Sequence, residues 1–127
     1  MPKTVLVVDD SQVFRSLEVM FLQQRGYAVV QAGDGVAALK AVFEHKPDLI
    51  LLDVQLPVMD GVSVLATLKA NPDTKKIPII VITTIGREKD RDILLRGGAD
   101  DFISKPITGP VLVAKVEKLL AASALPA

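Results

Sequence analysis

Five short apolar runs, most of them rich in β-branched residues and separated by stretches of helical period, constrain this chain more than any other feature. They lie at Thr4–Val8, Tyr27–Gln31, Asp48–Leu52, Ile77–Ile82 and Phe102–Ser104. Runs that stay apolar, instead of alternating with polar residues, describe strands covered on both faces, as in a parallel sheet. The intervening spacing predicts helices. The first covers Ser11–Arg25, where Val13, Phe14, Leu17, Met20, Phe21 and Leu22 recur every three or four residues and Gly26 stops the pattern. Asp34 is positioned to cap a second helix through His45, and Asp60-Gly61 opens a third that runs to Ala70 before Asn71-Pro72 breaks it. A fourth is predicted near Arg87–Arg96, ahead of Gly97-Gly98. The fifth has Thr108 as N-cap, Pro110 in its first turn and a stripe of Val111, Leu112, Val113, Val116, Leu119 and Leu120. Met20 and Met59 read as core filler.

Five strand-helix pairs without an internal repeat predict an α/β fold, a three-layer doubly wound parallel sheet. The flavodoxin-like strand order 2-1-3-4-5 is the natural one for this (βα)5 pattern. At 127 residues there is apolar material for one core. Residues 1–122 read as that domain and 123–127, small and neutral, as a short tail or the start of a linker. Mean hydropathy is high at +0.39, yet charged residues interrupt every apolar run before the ~18 residues needed to cross a bilayer. The opening Met1-Pro2-Lys3-Thr4 leads straight into a strand with no secretory pattern, so a cytoplasmic protein without membrane insertion is expected. The absence of cysteine rules out disulfides, thiolate metal sites and cysteine nucleophiles. Fifteen basic residues balance fifteen acidic ones and aromatic residues are few, which argues against direct nucleic-acid binding.

The chemistry lies where the strands end. The first stays apolar until Asp9-Asp10, the third until Asp53, the fourth until Thr83 and the last until Lys105-Pro106. Ligands of open α/β sheets bind outside the carboxyl ends of the strands, so this register gathers three carboxylates, a hydroxyl and an ammonium at one edge. Any one of these aspartates is an ordinary cap or loop residue; five such groups in register point to a site. Like charges ~4 Å apart repel by about 4 kcal/mol at an effective dielectric near 20, so three neighbouring carboxylates need a cation. A site of few protein oxygens suits magnesium that keeps its water, with manganese as a substitute. The neutralised cleft can then admit a phosphoryl group, with Asp53, at the end of the middle strand, as the nucleophile that forms an acyl phosphate. His45, the single histidine, ends a helix just before Pro47 and reads as a surface residue.

These residues resemble the receiver domains of two-component response regulators. The match spans essentially the whole chain: Asp9-Asp10, Asp53 followed by Pro57 and Asp60-Gly61, Pro78 through Thr83, Gly98-Ala99-Asp100, and Lys105-Pro106. The resemblance implies that Asp53 takes a phosphoryl group from a phosphohistidine on a sensor histidine kinase or phosphotransfer protein. It implies that Asp10, Asp53 and the backbone carbonyl of Gln55 bind magnesium directly, with Asp9 acting through coordinated water. Lys105 and Thr83 would contact the phosphoryl oxygens, Phe102 would be the switch aromatic behind Thr83, and the Lys105-Pro106 bond would be cis. The outcome would be control of a downstream protein target by a monomer, or by a weak phosphorylation-dependent dimer.

Three positions depart from the commonest pattern: Leu56 for Met, Phe102 for Tyr, and Thr84 for a smaller residue, followed by Ile85. With Gln55, this bulk is expected to narrow the path of the hydrolytic water and prolong the phosphorylated state. The predicted fourth helix carries Arg87, Glu88, Lys89, Asp90, Arg91 and Asp92 and only Ile93, Leu94 and Leu95 as anchors, so its first turns are expected to be loosely held. Ile93, Asp101 and Lys115 are candidates for partner contact. Two rival functions are an aspartyl-phosphate phosphohydrolase and a receiver-like binding module that is never phosphorylated. The first needs a second acid two residues after the nucleophile, where Gln55 stands, and the second expects a missing acid or lysine. A signalling phosphoacceptor, not a turnover enzyme, is the expectation.

Overall fold

The computed structural model describes residues 2–56, 59–83 and 91–124. Its elements run β1 (Thr4–Val8), α1 (Gln12–Gln24), β2 (Ala28–Ala32), α2 (Gly35–His45), β3 (Leu49–Asp53), α3 (Gly61–Ala70), β4 (Ile79–Thr83), α4 (Arg91–Arg96), β5 (Asp101–Ser104) and α5 (Gly109–Ala124). The strands form one parallel sheet in the order β2-β1-β3-β4-β5, the flavodoxin-like arrangement.

Successive side chains of a strand point to opposite faces, and both faces are filled. Val5, Val7, Leu49, Leu51, Ile80, Ile82 and Ile103 pack with Leu22 of α1 and with Leu112, Val116 and Leu120 of α5. On the other side Leu6, Val8, Ile50, Leu52, Ile79 and Val81 pack with residues of α2, α3 and α4. Every residue of β3 and β4 is buried, and each such leucine or isoleucine contributes roughly 1.5–3 kcal/mol by leaving water.

Backbone hydrogen bonds set the strand boundaries, and they differ from the sequence reading by one or two residues. β2 starts at Ala28 because the Tyr27 N–H still bonds the Leu22 carbonyl at the end of α1. There Gly26 adopts φ 87°, a left-handed conformation that suits a residue without Cβ. β3 starts at Leu49, and just before it Asp48 is tied to Thr4 twice, by its N–H to the Thr4 carbonyl and by its carboxylate accepting from the Thr4 N–H, both at 2.8 Å. β4 starts at Ile79 because the Ile77 N–H turns back to Thr74 and Pro78 has none to give.

Asp34 and Asp60 open their helices as expected, accepting from Ala37 at 2.7 Å and from Ser63 at 2.8 Å, and Ser11, read in the sequence as the first helical residue, instead caps α1 by accepting from the Phe14 N–H. Thr108 contributes its carbonyl to the Leu112 N–H where α5 opens. Pro57, Val58, residues 84–90, which include Thr84, Ile85 and the first charges expected on the fourth helix, and residues 125–127 lie outside the described residues.

The buried face of α1 corrects the sequence reading. Val13 is 70% exposed, Met20 43% and Leu17 38%, so these three do not form a core stripe and Met20 is not core filler. The helix instead buries Glu18 and Leu22, with Phe14 in line one turn earlier. Met59 does pack against the core, as expected. On α5, Val111 is likewise exposed while Leu112, Val116 and Leu120 are buried.

Candidate functional site

The β1, β3, β4 and β5 ends converge at the carboxyl edge of the sheet. Asp9 and Asp53 are buried there and Asp10 is exposed, and one carboxylate oxygen from each lies within 4.8 Å of the others. Adjacent loops hold these carboxylates in place: the Asp9 Oδ1 accepts from the Ser11 N–H and the Asp53 Oδ1 from the Gln55 N–H, both at 2.9 Å. Arg15 adds a bond from its guanidinium to the Asp9 carbonyl at 2.7 Å.

Lys105 reaches in from the far side. Its ammonium donates to Asp53 Oδ2 at 3.0 Å, lies 3.2 Å from Asp9 Oδ2 and sits 4.3 Å above the Phe14 ring. Burial works against the charged ammonium, but the Asp53 and Asp9 carboxylates outweigh it and raise the Lys105 pKa. Burial also raises that of Asp53; the Gln55 N–H and Lys105 oppose this, and the neighbouring Asp9 adds to it. The peptide bond joining Lys105 to Pro106 is cis.

Among the described residues, two oxygens in this cleft are buried without a hydrogen-bond partner: Asp9 Oδ2, whose approach to Lys105 lacks hydrogen-bond geometry, and Thr83 Oγ1. Buried polar atoms seldom stay unpaired. One lysine also leaves three carboxylates undercompensated. An all-oxygen cluster with an orphaned buried acceptor fits a hard divalent cation, and magnesium suits such a donor set.

Gln55 is exposed and bonds Asp53 only through its N–H. Phe102 is half-buried, with the Arg91 guanidinium 5.3 Å and the Lys115 ammonium 6.0 Å from its ring centroid. Lys115 pairs with both oxygens of Asp101 at 2.9 and 3.0 Å, so these two candidate contact residues are joined to each other. Ile93 is exposed on α4. His45 sits at the end of α2, near an exposed glutamate, at the opposite edge of the sheet.

Sequence reasoning missed Arg15, the Phe14 ring beneath Lys105, and above all Glu18. Its signal was present: Phe14, Glu18 and Leu22 follow one another at intervals of four, so a glutamate stands in line with the residues facing the sheet.

The description "response regulator receiver domain" belongs to the family model that matches residues 5–117. The chain belongs to this family. It is 34% identical over 120 residues to the polar-differentiation response regulator DivK of Brucella anthropi, a match that covers 94% of this chain and 98% of DivK. The transcriptional regulatory protein PrrA of Mycobacterium bovis is 41% identical over 119 residues, 94% of this chain and 50% of PrrA, so this chain spans about half of that relative. Among solved structures, a putative response regulator from Chloroflexus aurantiacus superposes with a TM-score of 0.92 at 32% identity, covering 95% of this chain and 99% of the other. The chain is therefore a receiver domain of a two-component response regulator, and the Asp9, Asp10 and Asp53 cluster fits a magnesium-binding phosphoacceptor site. No helix among the described residues is long and apolar enough to cross a membrane.

Proposed function

We propose that Asp53 accepts a phosphoryl group from the phosphohistidine of a sensor kinase or phosphotransfer protein, and that the change is relayed to a partner through α4, β5 and α5. One observation carries this reading: Lys105 bridges Asp53 and Asp9, inside a cluster of three carboxylates, beside an unpartnered Thr83 hydroxyl. A carboxylate oxygen of Asp53 attacks phosphorus, the P–N bond to the donor imidazole breaks, and its electron pair stays on the ring nitrogen. Charge grows on the transferred oxygens, where the Lys105 ammonium and the Thr83 hydroxyl supply donors.

Asp9, Asp10, Asp53 and the backbone carbonyl of Gln55 would hold magnesium, or manganese in its place, which supplies charge neutralisation for the incoming phosphoryl group. Before transfer, Lys105 holds the Asp53 carboxylate in place. Thr83 ends β4 and its hydroxyl has no competing bond, so it is free to turn toward a phosphoryl oxygen. Phe102, lacking a phenol, would switch by packing alone, away from a position in which the Arg91 and Lys115 cations both lie near its ring. Thr84 and Ile85, with Gln55, would restrict the hydrolytic water; loss of label from wild type and Thr84→Ala measures this, and equal rates remove it.

Intact mass after incubation with magnesium and a small acyl phosphate tests the central step. One added phosphoryl group on wild type and none on Asp53→Asn is expected. The same gain on Asp53→Asn would overturn the assignment, and no gain on wild type would favour the binding-module reading.

A further inference from the structure

Phe14 stands beside the site yet outside the core. It lies on α1, half-buried, and belongs to neither of the two apolar clusters that the described residues form on the faces of the sheet. Its ring meets a charge instead: the Lys105 ammonium sits 4.3 Å from the ring centroid. A cation within about 6 Å of an aromatic face is attracted by the ring quadrupole, and more strongly where water is kept away. That condition holds here, because the Lys105 side chain is only 11% exposed.

The contacts close into a circuit. Asp9 Oδ1 accepts from the Ser11 N–H, and Ser11 Oγ accepts from the Phe14 N–H at 3.4 Å. The Phe14 ring carries the Lys105 ammonium, which lies 3.2 Å from Asp9 Oδ2. Arg15, the next residue of α1, bonds the Asp9 carbonyl at 2.7 Å. The start of α1 is thus fixed to the aspartate that Lys105 approaches, and the ring is placed by the same backbone that places the acid.

Lysine is a point charge on a flexible four-carbon stem, so its head stays in place only where its surroundings hold it. Asp53 and Asp9 hold it before transfer. Asp53 changes during transfer, because an oxygen that bonds to phosphorus no longer carries carboxylate charge, and the ammonium must turn to a phosphoryl oxygen. The ring face stays as it was. Attraction to it demands no particular N–H direction, so the ammonium can change its oxygen partner without leaving the ring.

We propose that Phe14 is a positioning residue for phosphoryl transfer, holding the Lys105 ammonium over its ring while that ammonium exchanges the Asp53 carboxylate for a phosphoryl oxygen. The inference rests on the phosphoacceptor reading of the preceding section. With a small acyl phosphate as donor, an Asp53 oxygen bonds to phosphorus, the donor P–O bond breaks, and its electron pair leaves with the acyl carboxylate; the ring forms no bond.

Initial rates of phosphoryl gain from that donor with magnesium, read by intact mass, test this. The proteins compared are wild type, Phe14→Leu, and chains with mono-, di- or trifluorinated phenylalanine in place of Phe14. Phe14→Leu is expected to slow labelling about three- to thirtyfold, short of the loss from removing the ammonium itself. Fluorine withdraws negative charge from the ring face with little change of shape, so the logarithm of the rate should fall with each fluorine added. A ring that merely packs would give equal rates across that series. In a Lys105→Ala background, Phe14→Leu should lower the rate no further, because the two residues act through one contact. The fluorinated chains keep the comparison decisive if Phe14→Leu folds poorly. Rates that ignore fluorine, or a full Phe14→Leu effect without Lys105, would overturn the role of Phe14 while leaving Asp53 as the acceptor. Failure of wild type to gain a phosphoryl group would overturn both.

Discussion

The two edges of one sheet treat their aspartates in opposite ways. At the amino edge, Asp48 accepts from the Thr4 N–H, and Asp100 accepts from the Ile79 N–H at 2.8 Å while lying 3.3 Å from Lys69. At the carboxyl edge, among the described residues, Asp9 Oδ2 and Thr83 Oγ1 are buried without a hydrogen-bond partner and Asp9 and Asp53 share one lysine, while the buried Glu18 of α1 has no hydrogen-bond partner either. The first set ties strand starts together and is complete as it stands. The second is buried yet incomplete, so it carries an energetic deficit that an incoming ligand relieves. Unsatisfied valence, more than the presence of acid, separates the reactive edge from the structural one.

Substitutions at the two edges sharpen or break this contrast. The largest effect is expected at Lys105. Lys105→Ala should lower acyl-phosphate labelling by about 10²-fold or more. It should also destabilise the fold by about 3–5 kcal/mol in metal-free denaturant titrations, because Asp9 and Asp53 lose their shared cation. Recovery of part of that stability with magnesium is expected, and a variant as stable as wild type would deny that the edge carries a deficit.

Glu18 comes next, and its sign is opposite. Burial, and after it the charge of Asp9, lifts its folded pKa to about 8, above the ordinary glutamate value of 4.5 that an unfolded chain shows, so the unfolded chain loses a proton that the folded chain keeps. Stability therefore falls as pH rises from the unfolded value to the folded one and levels off beyond it. Relative to wild type, Glu18→Gln should gain a few kcal/mol between acid and mildly alkaline pH, as read by denaturation at each pH. Parallel stability curves for the two proteins would refute it.

Asp100→Ala should cost about 1–3 kcal/mol by leaving the Ile79 N–H unpaired, with phosphate incorporation unchanged. Loss of labelling in this variant at full stability would erase the distinction between the edges. The smallest effect belongs to Arg25→Ala, which breaks an exposed pair with Glu117 at 2.6 Å linking α1 to α5. Its thermal midpoint should stay near that of wild type, since exposed ion pairs add little.

Much of this was legible in the chain because burial on both faces leaves a strand little freedom of composition. Val5 to Val8, Leu49 to Leu52 and Ile79 to Ile82 are continuously apolar, and a charged or hydroxyl residue marks each carboxyl end. Boundaries were less legible, because they depend on a few hydrogen bonds such as those that occupy Asp48 and Tyr27 before their strands begin. The face of α1 was misread for a different reason. Apolar residues stand around most of that helix, so period alone did not decide between Val13, Leu17 and Met20 on one side and Phe14, Glu18 and Leu22 on the other. Packing against the sheet and α5 decided it, and Glu18 went in with the buried side.

At Gly61 a methyl group would collide with the Asp53 carbonyl oxygen and with the backbone of Val54 at 2.6 Å, while the Gly61 N–H bonds the Val54 carbonyl at 2.9 Å. The third helix thus rests bare backbone on bare backbone directly beside Asp53, with no side chain between them to deform. Such a joint has no slack, and a main-chain displacement at the aspartate is handed to the helix as a whole instead of being absorbed at its first turn.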